Sequence, residues 1–226
     1  MTTTVVIPTW NRADLLHDCL TAIDQDPPDE VIVVDNASYD GTADMVDTYH
    51  PHVTYLRNDT NEGFAPACNR GAREAAGDVV IFLNNDTLPK PGWWQTMAEL
   101  VTADRPVVGC HLTYPDGTTQ HAGVVITKPG GTLVAVNVTE PRPSRQVHAV
   151  TGACMAVNAD TFAATGGFDE GFRNGYEDVD LCLRLAGAYY TADAEVVHLE
   201  SQTAGRFDHV AHNVQLLNER WADGNH

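Results

Sequence analysis

The sequence has 226 residues, of which 31 are acidic and only 13 are basic, and its formal net charge at pH 7 is −18. A surface with this charge repels the phosphates of nucleic acids and the headgroups of anionic membranes, so both are excluded as partners. Because 43% of the residues are hydrophobic, the chain is expected to fold rather than to remain an acidic disordered tail.

The basic side chains are almost all arginines, since only Lys90 and Lys128 are lysines. Dense carboxylates with few lysines are typical of proteins from salt-loving organisms, in which molar salt screens the self-repulsion of the surface. The composition therefore indicates a halophile, and an ordinary acidic enzyme is the alternative.

The five cysteines are widely spaced and form no CxxC motif, which is typical of reduced thiols that are buried as small apolar residues. The first residues show no basic segment followed by an apolar one, and no run approaches the ~20 apolar residues that span a bilayer. We therefore expect a cytoplasmic protein without a transmembrane segment. Partner proteins could still hold it peripherally at the cytoplasmic face of the membrane.

The first half of the chain repeats a β-branched run, a polar loop and a helical stretch four times. The predicted strands are 4–7, 31–34, 53–56 and 79–83, and the predicted helices are 13–23, 42–50, 65–76 and 92–103. Continuous apolar runs of this kind are typical of parallel strands that are covered on both faces. The alternation predicts a Rossmann-like α/β sheet that binds ligands at the carboxyl ends of its strands.

From about residue 106 the pattern changes to short strands separated by turn residues. The predicted strands are 107–109, 123–126, 132–136, 153–157 and 195–198, the predicted helices are 159–164, 177–186 and 209–221, and 137–146 is a predicted loop. No linker separates this smaller mixed β region from the first half. The sequence therefore predicts one domain over residues 1–226.

Polar side chains follow three of the predicted strands at their carboxyl ends, at 8–12, 35–42 and 84–86. Each cluster alone also fits a structural role, because Asp, Asn and Ser end strands and cap helices. Three such clusters at one edge of one sheet favour a binding site.

Five ordered motifs make the sequence resemble the family 2 glycosyltransferases of the GT-A fold, and within them the rhamnosyltransferase branch. The motifs are VIPTWNR at 6–12, EVIVVDNASYDGT at 30–42, NEGFAPACNRG at 61–71, NNDT at 84–87 and GYEDVDLCLR at 175–184. The resemblance covers about residues 3–200. It implies a nucleotide-binding half at about 1–105 and an acceptor-binding half at about 106–226.

The resemblance implies an inverting, metal-dependent enzyme that moves a hexosyl or deoxyhexosyl group from a UDP- or dTDP-sugar to a hydroxyl of a glycan or lipid-linked glycan. A non-catalytic sugar-nucleotide or glycan-binding protein descended from such an enzyme is the alternative. A sugar nucleotidyltransferase would need a Gly-rich, basic loop after the first strand. Residues 8–11 are neither Gly-rich nor flanked by lysine.

Asp86 matches the last acidic residue of the family's metal-binding motif, so the resemblance implies that it binds Mn²⁺ or Mg²⁺. The first position of that motif is Asn84, which carries no charge and is expected to contact the donor instead. His198 matches a histidine that often supplies a second metal or diphosphate contact in the family, and a structural role is its alternative.

The resemblance places the nucleotide-sugar against side chains from several strand ends and one helix, namely Pro8, Thr9, Trp10, Asn11, Asp35, Asn36, Asn69, Asn84 and Asn85. The ring of Trp10 is expected to pack on a pyrimidine. Many relatives carry two aspartates at 35 and 36, so either Asp35 or Asn36 is expected to read the base. An acceptor atom opposite the pyrimidine N3–H selects uracil or thymine over cytosine. For Asn69, a structural hydrogen bond is the alternative.

Three carboxylates lie at the start of the predicted helix 177–186, where the helix dipole stabilises them for structural reasons alone. The matching family motif places its general base at the Glu-Asp pair. By that resemblance Asp178 accepts the proton of the acceptor hydroxyl, and Glu177 shares this role or holds the acceptor. The same resemblance places the floor of the acceptor site at 151–155.

Overall fold

The computed structural model describes residues 1–200 and 208–222. In these ranges the strands are β1 (Thr3–Thr9), β2 (Glu30–Asp35), β3 (Thr54–Arg57), β4 (Val79–Leu83), β5 (Thr87–Pro89), β6 (Val107–Thr113), β7 (Thr119–His121), β8 (Val124–Thr127), β9 (Val134–Asn137), β10 (Arg145–Val147), β11 (Cys154–Asn158) and β12 (Ala188–His198). The helices are α1 (Ala13–Ile23), α2 (Thr42–Tyr49), α3 (Phe64–Glu74), α4 (Trp93–Leu100), α5 (Ala159–Ala164), α6 (Glu177–Arg184) and α7 (Val210–Trp221). These elements confirm the predicted α/β class.

Ten of the described strands form one sheet in the order β10-β12-β6-β11-β4-β1-β2-β3, with β5 paired to β12 and β7 paired to β6. The four strands predicted for the first half, β1 to β4, are parallel as expected, because β1 pairs with β2 and β4 and β2 pairs with β3. Strand β11 lies antiparallel between β4 and β6. The second half of the chain therefore continues the sheet of the first half.

Helices cover both faces of this sheet, and the two faces carry separate apolar cores. Val5 and Ile7 of β1 pack in the core with α1 and α4, whereas Val6 packs in the core with α3 and α6. This division follows from the alternation of side chains along a strand. Gly71 lets α3 lie close to β1, because a Cβ at this position would lie 2.3 Å from Cγ1 of Val6.

The structure has three short strands that the sequence did not predict, and one strand that is much longer than predicted. Strands β5, β7 and β10 have three residues each and no alternation of apolar residues, and neighbouring strands hold them through backbone hydrogen bonds. The predicted strand 195–198 is the last part of β12, which has 11 residues. Strands β8 and β9 form a separate antiparallel pair.

The five cysteines are free and buried, as their spacing predicted. Among the described residues, none of the helices combines the length and the apolar character that a membrane crossing needs.

Candidate active site

A cleft opens at the carboxyl ends of β1, β2 and β4, where the polar clusters were predicted to meet. Its lining residues are Pro8, Thr9, Trp10, Arg12, Leu15, Asn36, Asn61, Gly63, Phe64, Asn84, Asn85, Asp86, Thr151, Gly152, Ala153, Asn174, Gly175, Glu177 and Asp178. The first half of the chain supplies one wall. The loop before β11 and the start of α6 supply the other, so residues far apart in sequence share one site.

Hydrogen bonds join the strand ends that form the first wall. Nδ2 of Asn85 donates to Oγ1 of Thr9 at 2.8 Å, and the backbone N–H of Asn36 donates to the carbonyl of Thr9 at the same distance. Trp10 keeps 37% of its surface exposed although it lines the cleft. Its ring is therefore accessible to a ligand that stacks.

The amide of Asn36 is oriented by two neighbours. Its Oδ1 accepts from Nδ2 of Asn58 at 2.7 Å, and its Nδ2 donates to the carbonyl of Gly63 at 3.1 Å. Only 4% of Asn36 is exposed. These bonds fix the orientation of the amide at the cleft wall before any ligand binds.

Asp35 lies behind this wall and does not line the cleft. Its carboxylate accepts from the backbone N–H of Ser38 at 2.9 Å, and it is also bonded to the side chains of Ser38, Tyr55 and Arg57. Burial and the bond to Asp35 raise the pKa of Tyr55 to about 12. Asp35 is fully buried and holds the loop that follows β2.

Asn11 also lies outside the cleft lining. Its backbone N–H donates to Oγ of Ser38 at 2.6 Å, and its Oδ1 accepts from the N–H of Tyr39 at 2.9 Å. Asn11 thus ties the loop after β1 to the loop after β2. The structure places it as a support for Trp10 rather than in the cleft.

Asn69 is not brought to the cleft either. Both ends of its amide bond to the backbone of Phe168, with Nδ2 donating to the carbonyl and Oδ1 accepting from the N–H, each at 2.9 Å. Its Nδ2 also donates to Glu170 at 2.9 Å. This arrangement corresponds to the structural alternative, and the predicted nucleotide contact by Asn69 has no support in its position.

Asp86 and His198 meet at the edge of the cleft, although they lie far apart in the sequence and belong to no shared motif. Oδ1 of Asp86 lies 3.1 Å from Nε2 of His198, and Nδ2 of Asn84 lies 3.3 Å from the same ring nitrogen. Strand β5 brings them together, because Thr87 pairs with His198 in the antiparallel register of β5 and β12. Both Asp86 and His198 are buried.

The hydrogen bonds of His198 leave its Nε2 suited to a cation. Nε2 of Gln120 donates to the carbonyl of His198 at 3.1 Å, so Oε1 of Gln120 is the atom that faces Nδ1 of His198 at 2.6 Å. Since Oε1 can only accept, Nδ1 carries a proton, so in the imidazole form that binds metals the lone pair is on Nε2, which faces Asp86. A carboxylate oxygen and a ring nitrogen that face each other fit a divalent cation.

Across the cleft, the loop before α6 and the loop before β11 position two carboxylates. Oδ2 of Asp178 accepts from the N–H of Gly152 at 2.8 Å, and its Oδ1 accepts from the N–H of Val179 at 2.8 Å. Oε2 of Glu177 accepts from the N–H of Gly175 at 2.7 Å. Glu177 is buried and Asp178 is half-buried, so Asp178 is the more accessible of the two.

Several residues with side chains adopt left-handed backbone conformations in the loops around the cleft. Their φ angles are 58° at Asn11, 60° at Arg12, 61° at Ala37, 50° at Asn174 and 73° at Tyr176. Such conformations are uncommon outside glycine and concentrate at sites where function fixes the backbone. Arg12 and Tyr176 are the N-caps of α1 and α6, so their angles set where these two helices begin.

The sequence predictions missed four polar or aromatic cleft residues, namely Arg12, Asn61, Phe64 and Asn174. All four lie inside or beside the quoted motifs, and this was the signal that could have identified them. Among the lining residues in the described ranges, Arg12 is the only cation, against the three carboxylates Asp86, Glu177 and Asp178. The cleft is therefore net acidic.

Solved glycosyltransferase structures share this architecture. GalNAc-T7 with UDP, GalNAc and Mn2+ aligns with 88% of this chain and 44% of its own, with a TM-score of 0.70 at 17% identity. The mannosyltransferase PcManGT from Pyrobaculum calidifontis, in complex with GDP-Man and Mn2+, aligns with 89% of this chain and 58% of its own, with a TM-score of 0.67 at 21% identity. These likenesses concern the fold, which is GT-A.

The profile of Glycosyl transferase family 2 matches residues 4–156. The O-antigen biosynthesis protein RfbC of Myxococcus xanthus is 34% identical over 221 residues, which cover 87% of this chain and 17% of that protein. The N-acetylglucosaminyl-diphospho-decaprenol L-rhamnosyltransferase of Mycobacterium tuberculosis is 29% identical over 212 residues, 79% of this chain and 69% of the relative. The chain belongs to glycosyltransferase family 2, as its motifs predicted, and spans only part of these relatives.

Proposed function

We propose that the chain transfers a hexosyl or deoxyhexosyl group from a UDP- or dTDP-sugar to a hydroxyl of a glycan or lipid-linked glycan, with inversion at the anomeric carbon. The observation that carries this proposal is the cleft that Asp86 lines at one side, with His198 in contact with it, and that Asp178 lines at the other. The names of the two relatives, which refer to O-antigen and to a diphospho-decaprenol acceptor, support a glycan or lipid-linked acceptor.

The nucleotide is proposed to bind against the first wall of the cleft. The exposed ring of Trp10 offers a stacking surface for a pyrimidine, and Asn36, with its oriented amide, lies beside it. Pro8, Thr9 and Asn85 form the adjacent wall. We assign Asp35 and Asn11 to support, since their side chains hold the two loops that carry Trp10 and Asn36.

The diphosphate is proposed to lie between Arg12 and the pair Asp86 and His198. Its negative charge meets three carboxylates and one arginine among the described lining residues, which disfavours binding without a further positive charge. Asp86 and His198 would hold Mn²⁺ or Mg²⁺, with Asn84 beside them. A bound divalent cation supplies charge that stabilises the diphosphate as it leaves.

Asp178 is proposed to act as general base. Its carboxylate takes the proton of the acceptor hydroxyl while the acceptor oxygen forms a bond to the anomeric carbon, and the bond from that carbon to the diphosphate oxygen breaks. Attack from the face opposite the leaving diphosphate inverts the anomeric configuration. The backbone N–H groups of Gly152 and Val179 hold the carboxylate in place for this step.

We further propose that the enzyme works at high salt, because its 31 acidic residues outnumber its 13 basic residues. At molar salt the repulsion between these carboxylates is screened. We also take the halves at about 1–105 and 106–226 as the donor and acceptor sides of one domain, since each supplies one wall of the cleft.

A panel of UDP-, dTDP- and GDP-sugars, assayed at high KCl with Mn²⁺ and with glycan acceptors, tests the proposal. We expect hydrolysis or transfer with at least one UDP- or dTDP-sugar. Turnover with a GDP-sugar alone would contradict the donor assignment. Binding of a nucleotide-sugar without turnover of any donor on any acceptor would instead assign the chain to the non-catalytic alternative.

A further inference from the structure

Three potential metal ligands converge outside the cleft, on the side of the sheet covered by α1 and α2. Oδ2 of Asp24 lies 3.0 Å from Nδ1 of His50, and Oδ1 of Asp24 lies 2.9 Å from Nε2 of His52. One ligand atom from each of the three residues lies within 4.8 Å of the other two. We refer to these residues as the Asp24–His50–His52 cluster.

The fold holds the central ring of the cluster, His50, in place, whereas Asp24 and His52 are exposed. Only 2% of His50 is exposed, and its second ring nitrogen, Nε2, lies 3.0 Å from Nδ1 of His17 on α1. A ring that is buried and contacted at both nitrogens has little freedom to turn away. Nδ1 of His50 therefore stays directed at Asp24.

Two helices end at this cluster. Asp24 is the C-cap of α1 and His50 is the C-cap of α2. Carbonyl groups and the negative end of the helix dipole lie at a helix C-terminus, which favours a cation there. The backbone field therefore adds to the charge of Asp24.

We propose that the Asp24–His50–His52 cluster binds Zn²⁺ at a site separate from the catalytic cleft. Two imidazole nitrogens and one carboxylate are a donor set that Zn²⁺ takes, with solvent at the remaining position, whereas Mg²⁺ prefers oxygen ligands alone. In the bound form, Nδ1 of His50 and Nε2 of His52 are the ligands. His50 then carries its proton on Nε2, and Nδ1 of His17 accepts that hydrogen bond.

Binding would join the end of α1 to the loop between α2 and β3. Because a ligand that binds only the folded state stabilises it by mass action, Zn²⁺ is expected to raise the melting temperature. The competing explanation of the cluster is a pair of histidine–carboxylate hydrogen bonds without a metal. That explanation predicts no effect of Zn²⁺ through these residues.

The test is a titration of the metal-free chain with Zn²⁺ by isothermal calorimetry, without nucleotide. We expect a site that is at least about tenfold weaker in His52→Ala, the size of effect that loss of metal-site contacts typically has. The side chain of His52 is 54% exposed, so its removal should leave the fold intact. At the same concentration, Zn²⁺ should raise the melting temperature of the wild type more than that of His52→Ala.

Two further variants test whether the measured Zn²⁺ binding comes from this cluster or from other residues. His212→Ala removes an exposed histidine of α7 and should bind Zn²⁺ like the wild type. Asp86→Ala removes the carboxylate of the proposed cation site in the cleft and should keep Zn²⁺ binding at the Asp24–His50–His52 cluster and its thermal shift. Absence of Zn²⁺ binding tighter than about 1 mM, or equal binding in His52→Ala, would overturn the proposal.

Discussion

At the residue scale, the carboxylate of Asp178 is the group that the proposed chemistry depends on most directly. Two backbone N–H groups hold it at the cleft, and it is the less buried member of the pair with Glu177. Asp178→Asn keeps the size of the side chain and removes its ability to take a proton. We expect transfer to slow by about 10²–10⁴-fold, the usual contribution of a general base, with little change in nucleotide affinity.

The matched control for Asp178→Asn is Asp160→Asn. Asp160 also lies in the first turn of a helix, α5, but it is exposed and outside the cleft lining. Steady-state transfer rates and UDP titrations of both variants separate catalysis from helix stability. A full transfer rate in Asp178→Asn would place the base elsewhere.

The buried carboxylate of Asp86 leads to a second prediction at this scale. Asp86→Asn removes the negative charge that faces Nε2 of His198 and leaves a side chain of nearly the same shape. We expect Mn²⁺ to increase the affinity of the wild type for UDP by at least about tenfold and to have little effect on the variant. Calorimetric titrations with UDP, with and without Mn²⁺, measure the difference.

Asp116→Asn provides the control, because Asp116 is an exposed turn residue that bonds to Thr118 within its own turn. Its UDP affinity should depend on Mn²⁺ as in the wild type. If Mn²⁺ still strengthens UDP binding to Asp86→Asn to the wild-type extent, the cation lies at other residues.

At the scale of elements, β7 contributes a buried histidine next to the acceptor side of the cleft. Nδ1 of His121 lies 2.6 Å from Oδ1 of Asn137 at the end of β9, and its Nε2 accepts from the N–H of Thr151 at 3.4 Å. Burial lowers the pKa of His121 to about 4. The side chain is therefore neutral at pH 7 and joins β7 to the loop that lines the cleft.

This pKa has a defined consequence for stability. In the unfolded chain His121 titrates near its ordinary value of about 6.5, so below that pH the unfolded state binds more protons than the folded state. Neutral, buried His121 therefore stabilises the folded state fully above about pH 6.5, and this contribution is lost as the pH falls toward 4. At pH 5 the loss from this residue is about 2 kcal/mol.

Urea unfolding at pH 7.5 and pH 5 checks this expectation. Between pH 7.5 and pH 5 the free energy of unfolding should fall by about 2 kcal/mol more in the wild type than in His121→Gln, because glutamine does not titrate. The variant His212→Gln, at an exposed position, should behave as the wild type does. Equal pH dependence in wild type and His121→Gln would contradict the prediction.

A second pair of elements, α6 and α7, is joined by the third carboxylate of the Glu-Asp-Val-Asp segment. Asp180 is fully buried and accepts from Arg184 at 2.8 Å, Arg220 at 2.7 Å and Trp221 at 3.0 Å. Its neighbour Asp178 points to the cleft instead. One helical turn thus carries a proposed base and a structural anchor, which residue type alone does not distinguish.

At the scale of the whole molecule, the net charge of −18 acts on every anionic ligand. An anionic nucleotide-sugar approaches against this field, and salt screens the field over about 10 Å at 0.1 M and about 3 Å at 1 M. We expect UDP affinity at a fixed Mn²⁺ concentration to rise between about 0.05 M and 1 M KCl. UDP titrations over this range of KCl concentration measure the affinity, and a steady fall in affinity from low to moderate salt would contradict the prediction.

The sequence by itself determined the class of fold, the four parallel strands of the first half and the family. Apolar β-branched runs are local signals, and they form parallel strands where helices cover both faces of the sheet. The motifs likewise predicted that Thr9, Trp10, Asn36, Asn85, Asp86 and Asp178 would share a site, and they line one cleft. For these residues, a position at a strand end or a helix start was sufficient to predict that they line the cleft.

Only the tertiary structure decided which polar side chains face that cleft. Asn69 and Asp35 belong to the same motifs as cleft residues, yet neither side chain lines the cleft. The amide of Asn69 is hydrogen-bonded to the backbone of Phe168. The carboxylate of Asp35 is hydrogen-bonded to Ser38, Tyr55 and Arg57. The pairing of β5 with β12, which brings His198 to Asp86, also has no local signal. Hydrogen-bond partners distant in sequence are chosen when the sheet and its helices pack, and no pattern of neighbouring residues specifies them.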